Sequence, residues 1–249
     1  PEHPVLIDQF LQGAVEIDMD LLGDGINSEL GGILEHVERA GIHSGDSACI
    51  LPPQNLTSDV LRRLEEQGKA LAKELQVKGL MNIQFAVKDD EIFLIEVNPR
   101  SSRTVPFVSK AIGHPLAKYA TWLMLGLNLS EIGFSYEVPE TVSVKETVFP
   151  FVSFAGADTE LGPEMKSTGE VMGRGKNLEE AFIKAQIAAY QSEIKQGHVF
   201  IGVTDRDKQG IIPAAFEFQK AGRKILATAG TYKVLENAGV TNLKKTSLN

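Results

Sequence analysis

The chain has 249 residues, 43% apolar and 23% charged, the composition of an ordinary globular protein with length for one large domain or two small ones. A net charge of −8 argues against a general nucleic-acid surface, which needs a basic stripe, but leaves room for an anionic substrate in a local basic pocket. Cys49 is the sole cysteine, which rules out an intrachain disulfide and fits the reducing cytoplasm, and no apolar run nears the roughly 18 residues of a membrane span.

No signal peptide opens the chain, and its first residue is Pro1, so a segment of a longer protein is expected. Val15, Ile17 and Met19 alternate with Glu16, Asp18 and Asp20, which predicts a half-buried strand. "GDG" at 23–25 turns it, and "LGGILEHVE" returns as its partner. "AGIHSGDSACILPP" reads as loop. Val60, Leu61, Leu64, Leu71, Ala72 and Leu75 recur at helical spacing over about 58–76, with Thr57 or Ser58 as N-cap. Residues 80–87 and 92–98 form a hairpin around "KDDE", and a second helix runs over about 115–125 to Gly126. Further on, "VPETVSVKETVFPF" reads as strand, "AGADTELGPEMKSTGEVMGRG" as loop and 178–195 as helix. After Gly197 the order strand, helix, strand, helix ("HVFIGVT", "KQGIIPAAFEFQKAG", "KILAT", "TYKVLENAG") predicts the start of a parallel, doubly wound unit.

The stretch "FLIEVNPR" at 93–100 carries a carboxylate, Glu96, within an apolar run. If it is buried, it needs a partner. Glu96, Asn98 and Arg100 share one strand face. A three-residue turn, Asp89 to Glu91, would bring Gln84 opposite Glu96, whereas a two-residue turn would bring it opposite Ile95. In the first register Gln84, Glu96 and Asn98 form an oxygen-rich patch suited to a hard divalent ion, with Arg100 and Arg103 beyond it suited to phosphate. The same spacing fits a surface strand with a solvated Glu and an Asn-Pro stop.

Two other motifs fail on spacing. "GEVMGRGKN" has three residues between Gly169 and Gly173 and Asn177 after its lysine, so it is no phosphate loop and reads as a turn-rich connector. "DMDLLGDG" lacks the closing Glu of a calcium loop. "ATAGT" ends a strand and starts a helix, so Thr228, Gly230 and Thr231, with Lys208 opening the preceding helix, suit an anion; plain helix capping by threonine fits equally.

"GLMNIQFAVKDDEIFLIEVNPRSSRTVPFVSKAIG", together with "VEIDMD", "AGIHSGDSA" and "LGPEMKSTGEVMG", resembles the ATP-grasp unit of the carbamoyl-phosphate synthetase large subunit, and "ATAGT" resembles that family's regulatory domain. The resemblance covers essentially the whole chain. It implies an α/β fold: an α+β ATP-grasp lobe, then a truncated doubly wound domain of the methylglyoxal-synthase type. The implied domains are 1–128 (ATP-grasp), 129–194 (remainder and connector) and 195–249 (regulatory).

In that family the regulatory domain follows the second half, which phosphorylates carbamate, so the implied activity is ATP-dependent formation of carbamoyl phosphate for arginine and pyrimidine biosynthesis. The fragment alone is expected to be inactive. The alternatives are a regulatory, nucleotide-binding fragment without turnover, or another ATP-grasp ligase, which "GIHSGDSA" and the attached terminal unit oppose.

By the resemblance Gln84, Glu96 and Asn98 are ligands of Mg2+ or Mn2+, and Arg100 and Arg103 lie near the transferred phosphate. Glu16 meets the ribose, Leu11 the adenine, and Gly41, Ile42, His43 and Ser44 the nucleotide. Gln9 stands where His is common in the family. His36, Glu38 and Ser47 would hold K+, and Lys208, Thr228 and Thr231 a nucleotide effector. Of the two histidines, His43 has the better functional claim, and Cys49 reads as a small buried residue. The implied partners are a glutamine-hydrolysing small subunit, bicarbonate or carbamate, ammonia, and nucleotide or ornithine effectors, with no nucleic acid and no membrane.

Overall fold

The computed structural model describes residues 4–5, 7, 9–154, 156–190 and 197–247. Chain contacts divide it into two units, Pro1–Ser192 and Glu193–Asn249. In the first, β1 (Val15–Asp24) turns through Gly25, at φ +92°, into β2 (Ser28–Arg39), and β3 (Cys49–Leu51) follows. Then come α1 (Ser58–Glu74), β4 (Lys78–Lys88), β5 (Glu91–Asn98), α2 (Val105–Ile112), α3 (Leu116–Met124) and the single turn α4 (Leu129–Ile132). β6 (Val142–Val148), β7 (Gly169–Gly175) and α5 (Leu178–Tyr190) complete it. The seven strands form one antiparallel sheet in the order β5-β4-β1-β2-β3-β6-β7.

α1 lies where its apolar stripe predicts, capped by Thr57, whose side chain accepts from the Val60 N–H. Its Val60, Leu64 and Ala72 pack with Ile17, Met19 and Leu21 of β1 and Ile83 and Phe85 of β4. α2 and α3 bury Val105, Val108, Leu116 and Leu123 against a second cluster that contains Leu22, Leu34, Leu51 and Leu80. Each such fully buried side chain contributes roughly 1.5–3 kcal/mol.

Cover on both sides overturns one expectation: β1 is not half-buried. Its acidic positions Asp18 and Asp20 are 2% and 0% exposed. α2, and the strand β3 inside the segment read as loop, were also not expected; β3 is held as a bridge between β2 and β6.

The boundary expected at 128 falls inside this unit, because β6 pairs with β3 and continues the same sheet. "GEVMGRG" is no connector but the edge strand β7. Its glycines let α5 press directly on the strand: a methyl group at Gly173 would meet the Ala181 carbonyl oxygen at 2.0 Å and the Ala185 nitrogen at 2.4 Å. The expected helix is present as far as Tyr190; its remainder over 191–195 and the boundary at 195 lie outside the described residues.

The second unit contains β8 (Val199–Ile201), α6 (Ile212–Lys220), β9 (Ile225–Ala227), α7 (Ala229–Asn237) and β10 (Leu243–Lys245). Its three strands run parallel in the order β10-β9-β8, around Ile201, Ala215, Ile225, Leu235 and Val240. The strand–helix alternation is as expected, and β10 adds a third strand that was not. Among the described residues no helix is long and apolar enough to cross a membrane.

Gly173→Ala should destabilise the first unit by about 1–3 kcal/mol through overpacking, read as a lower urea midpoint. Gly169→Ala, with open space around its Cβ, should leave the midpoint unchanged. Equal midpoints for all three proteins would show that α5 does not press on β7 in this way.

Candidate functional site

The hairpin β4–β5 reaches its register by an unexpected route. Asp89 and Asp90 both take positive φ, 52° and 63°, and Lys88 pairs with Glu91, so the turn has two residues and not three. Such a turn alone would set Gln84 against Ile95. A bulge supplies the missing step: Phe85 faces Leu94, Ile95 is skipped, and Gln84 faces Glu96. Asn82 then faces Asn98. On the other side of β4, Gln84 faces Asp18 and Asn82 faces Asp20. Two polar rows therefore cross three strands, Asp18–Gln84–Glu96 and Asp20–Asn82–Asn98.

The rows grade from dry to wet. Glu96, on an edge strand, is exposed and accepts from Asn98 Nδ2 at 2.8 Å, so of the environments left open for this carboxylate it takes the solvent-facing one. The carboxylates that need partners are Asp18 and Asp20. Asp18 Oδ2 lies 2.8 Å from His36 Nε2, and its Oδ1 accepts from Asn82 Nδ2 at 3.2 Å. Asp20 accepts from Asn82 Nδ2 at 3.0 Å, Ser102 Oγ at 2.9 Å and Thr104 Oγ1 at 2.5 Å.

Burial works to raise the pKa of Asp18, but the hydrogen bond and charge of His36 outweigh it and hold Asp18 below the usual carboxylate range. For Asp20 burial wins over its hydrogen bonds, and its pKa is pushed up to about 6. Burial opposes protonation of His36, yet the neighbouring Cys49 and the Asp18 carboxylate carry its pKa well above the imidazole range.

These rows floor part of a cavity of about 750 Å³. Glu16, Gly41, Ile42, His43, Ser44, Gln84, Glu96, Asn98, Arg100 and Arg103 all line it. The Gly41 N–H donates to Glu16 Oε1 at 3.0 Å, which ties the 41–44 loop to β1, and the left-handed φ of +103° at Gly41 permits the turn. His43 Nδ1 accepts from the Gly45 N–H at 2.9 Å.

Arg100 donates to Asn98 Oδ1 at 3.1 Å. A strap over 163–170, read only as loop and connector, forms another wall; the Asp46 carboxylate holds it through the Lys166 and Ser167 N–H groups at 2.7 and 2.8 Å. Sequence reasoning also missed Lys145, a buried wall residue whose Nζ donates to the Ser44 carbonyl at 3.3 Å. Its place in an apolar alternation on β6 carried the only signal.

Other expected residues lie elsewhere. Leu11 is not in the cavity lining, although the ring of its neighbour Phe10 would contact a Cβ at Gly41 at 3.1 Å. His36 and Ser47 are buried behind the wall. Glu38 Oε2 accepts from the Ala48 N–H at 2.7 Å. In the second unit Lys208 does not open α6 but follows a short 3-10 turn, Asp205–Asp207, and is ion-paired to Asp205. Its Nζ would lie 2.6 Å from a Cβ at Gly230, so it sits at the N-terminus of α7. There Thr228 Oγ1 donates to Thr231 Oγ1 at 3.2 Å, and Thr231 Oγ1 accepts from the Val203 N–H at 3.3 Å.

One carboxylate and two side-chain amides are too few for a protein-only cage, and among the described residues no three acids, histidines or cysteines cluster as metal ligands. The set does suit Mg2+ or Mn2+ that arrives with phosphate oxygens. K+ fits less well. Among the described residues His36 Nδ1 is buried without a hydrogen-bond partner, but His36 Nε2 faces Asp18, the Glu16 carboxylate lies 3.6 Å from Nδ1, and Glu38 is already engaged by the Ala48 N–H.

Residues 1–132 match the family described as "Carbamoyl-phosphate synthase L chain, ATP binding domain". The chain is 50% identical over 250 residues to the carbamoyl phosphate synthase large chain of Methanobrevibacter smithii, covering 99% of this chain and 24% of that protein. For the large chain of Pasteurella multocida the figures are 52% over 240 residues, 96% and 22%. The chain thus spans about a quarter of the length of these relatives. Among solved structures, the biotin carboxylase domain of a single-chain bacterial carboxylase aligns with a TM-score of 0.54 at 17% identity, over 68% of this chain and 45% of that one. The K. lactis urea amidolyase aligns at 0.56 and 16%, over 72% and 12%. At such identities these likenesses speak for the ATP-grasp fold alone.

The Asp20 shift has a measurable sign. Its folded-state pKa exceeds the unfolded value, so its ionisation costs stability as pH rises from about 4 to about 6. Asp20→Asn, whose amide can donate to the Thr104 hydroxyl, should therefore gain stability relative to the unsubstituted chain between pH 4 and 7, by up to about 3 kcal/mol. Urea denaturation across that range tests this; a stability difference that does not vary with pH would count against the shift.

Proposed function

Because the chain belongs to the carbamoyl-phosphate synthase large-chain family of ATP-binding domains, we propose that its cavity holds ATP and directs the γ-phosphoryl group to a carbamate oxygen, giving carbamoyl phosphate and ADP. The observation that carries this reading is the bulge at Ile95, which sets Gln84, Glu96 and Asn98 on one rim of a cavity that Arg100 and Arg103 also line. Gln84, Glu96 and Asn98 would hold Mg2+ or Mn2+ there, and the ion would offset phosphate charge. Phosphoryl transfer is chiefly positioning and charge neutralisation, and it requires no covalent nucleophile, because the carbamate oxygen attacks the γ-phosphate directly.

Arg100 and Arg103 would grip the oxygens of the transferred group, whose planar arrangement a guanidinium fork matches. Glu16 and the 41–44 loop it anchors would orient the nucleotide. In this reading ammonia reaches the full protein from a glutamine-hydrolysing subunit, and the product serves arginine and pyrimidine synthesis. Lys208, Thr228 and Thr231 would meet an anionic effector.

The test uses the full-length protein that carries this sequence. Glu96→Gln should lower ATP formation from MgADP and carbamoyl phosphate by about 100-fold or more, the scale of a lost charge-stabilising group, while bicarbonate-dependent ATP hydrolysis stays largely intact. Unchanged ATP formation would return β5 to a structural strand and remove the proposed site.

A further inference from the structure

Asp20 is buried and does not line the cavity, yet three side chains converge on it. Its Oδ1 accepts from Asn82 Nδ2 at 3.0 Å and Ser102 Oγ at 2.9 Å, and its Oδ2 accepts from Thr104 Oγ1 at 2.5 Å. The two hydroxyl oxygens lie 2.6 Å apart. Ser102 and Thr104 flank Arg103, and both are drawn towards the interior of the sheet. Arg103 between them is exposed, lines the cavity and touches the Met165 sulphur of the strap. Among the described residues no carboxylate forms an ion pair with it.

Thr104 is also the N-cap residue of α2; its own backbone is helical, at φ −72° and ψ −24°, its side chain makes no capping bond, and its hydroxyl donates to Asp20. That hydroxyl bond spans 84 residues of chain.

We propose that Asp20 is a positioning residue: by holding the hydroxyls of Ser102 and Thr104 it keeps Arg103 aimed into the cavity, at the oxygens of the transferred phosphoryl group. The proposal rests on the phosphoryl-transfer reading above. A guanidinium fork acts on phosphate directionally, so a segment anchored on both sides of the arginine fixes what a free loop would leave to rotate. Asp20 acts without touching substrate, through the backbone of 102–104.

The experiment is ATP formation from MgADP and carbamoyl phosphate in the full-length protein, with Asp20→Ala, Asp20→Asn and Ser102→Ala each made alone and in an Arg103→Ala background. Asp20→Ala should lower kcat by about 10- to 100-fold, the cost of a group displaced by about 1 Å, with KM for MgADP within about twofold. Ser102→Ala should lower kcat by about fivefold, and Asp20→Asn should restore most of what Asp20→Ala loses.

In the Arg103→Ala background each should cost less than about twofold, since residues acting as a unit are non-additive. Equal losses in both backgrounds, or wild-type kinetics in folded Asp20→Ala and Ser102→Ala, would overturn the proposal. If Asp20→Ala does not fold, Ser102→Ala in the two backgrounds decides it. Glu96→Gln in the same assay separates the two levels. Full activity there would remove the phosphoryl-transfer reading itself, whereas loss there without coupling to Arg103 would remove only the positioning role.

Discussion

Two carboxylates in the interior of an antiparallel sheet constrain the rest of the first unit. Asp18 and Asp20 sit on β1 with almost no exposure, where an unpartnered charge would cost several kcal/mol or more. Their partners come from β2 (His36), β4 (Asn82) and the turn after β5 (Ser102 and Thr104). Each of these segments must be in place before the carboxylates are satisfied. The network therefore specifies the register of β1 against β4 and the path of the chain after Pro99, which hydrophobic burial alone would leave looser.

The same face of the sheet changes character across its width. At β1 its carboxylates Asp18 and Asp20 are buried, at β4 Gln84 is half-buried, and at β5 Glu96 is exposed. Reactive groups on such a rim gain from a rigid floor, because a charged side chain works best when its own backbone cannot drift. The bulge at Ile95 belongs to this logic. It breaks strict alternation at the edge of the sheet and re-aims Glu96 and Asn98 onto the face that already carries Asp18, Asp20, Asn82 and Gln84.

The walls are built differently. One is a loop tied to β1 by a single carboxylate, Glu16, and another is a strap held by Asp46 through two backbone N–H groups. Both attachments are charge-assisted hydrogen bonds to backbone, which hold a loop in place without a large apolar anchor. At the far edge of the sheet β7 and α5 pack through glycine and alanine. The close approach at Gly173 shows that small residues there serve packing and not flexibility.

Much of this was legible in the sequence. The apolar stripe of α1, the alternation of β1, the parallel unit after 197 and the group Gln84, Glu96, Asn98, Arg100 and Arg103 follow from local periodicity and from runs long enough to identify a family. What the sequence could not supply was everything that depends on a second segment. The turn at Asp89–Asp90 and the bulge at Ile95 displace the register by one residue each, in compensating directions, so the expected juxtaposition of Gln84 and Glu96 arose by another path. Burial of Asp18 and Asp20, the wall position of Lys145 and the strand nature of 169–175 were invisible for the same reason. Local sequence determines which faces a segment can offer, and only tertiary packing decides which of them meet water, because burial is a property of the partner as much as of the residue.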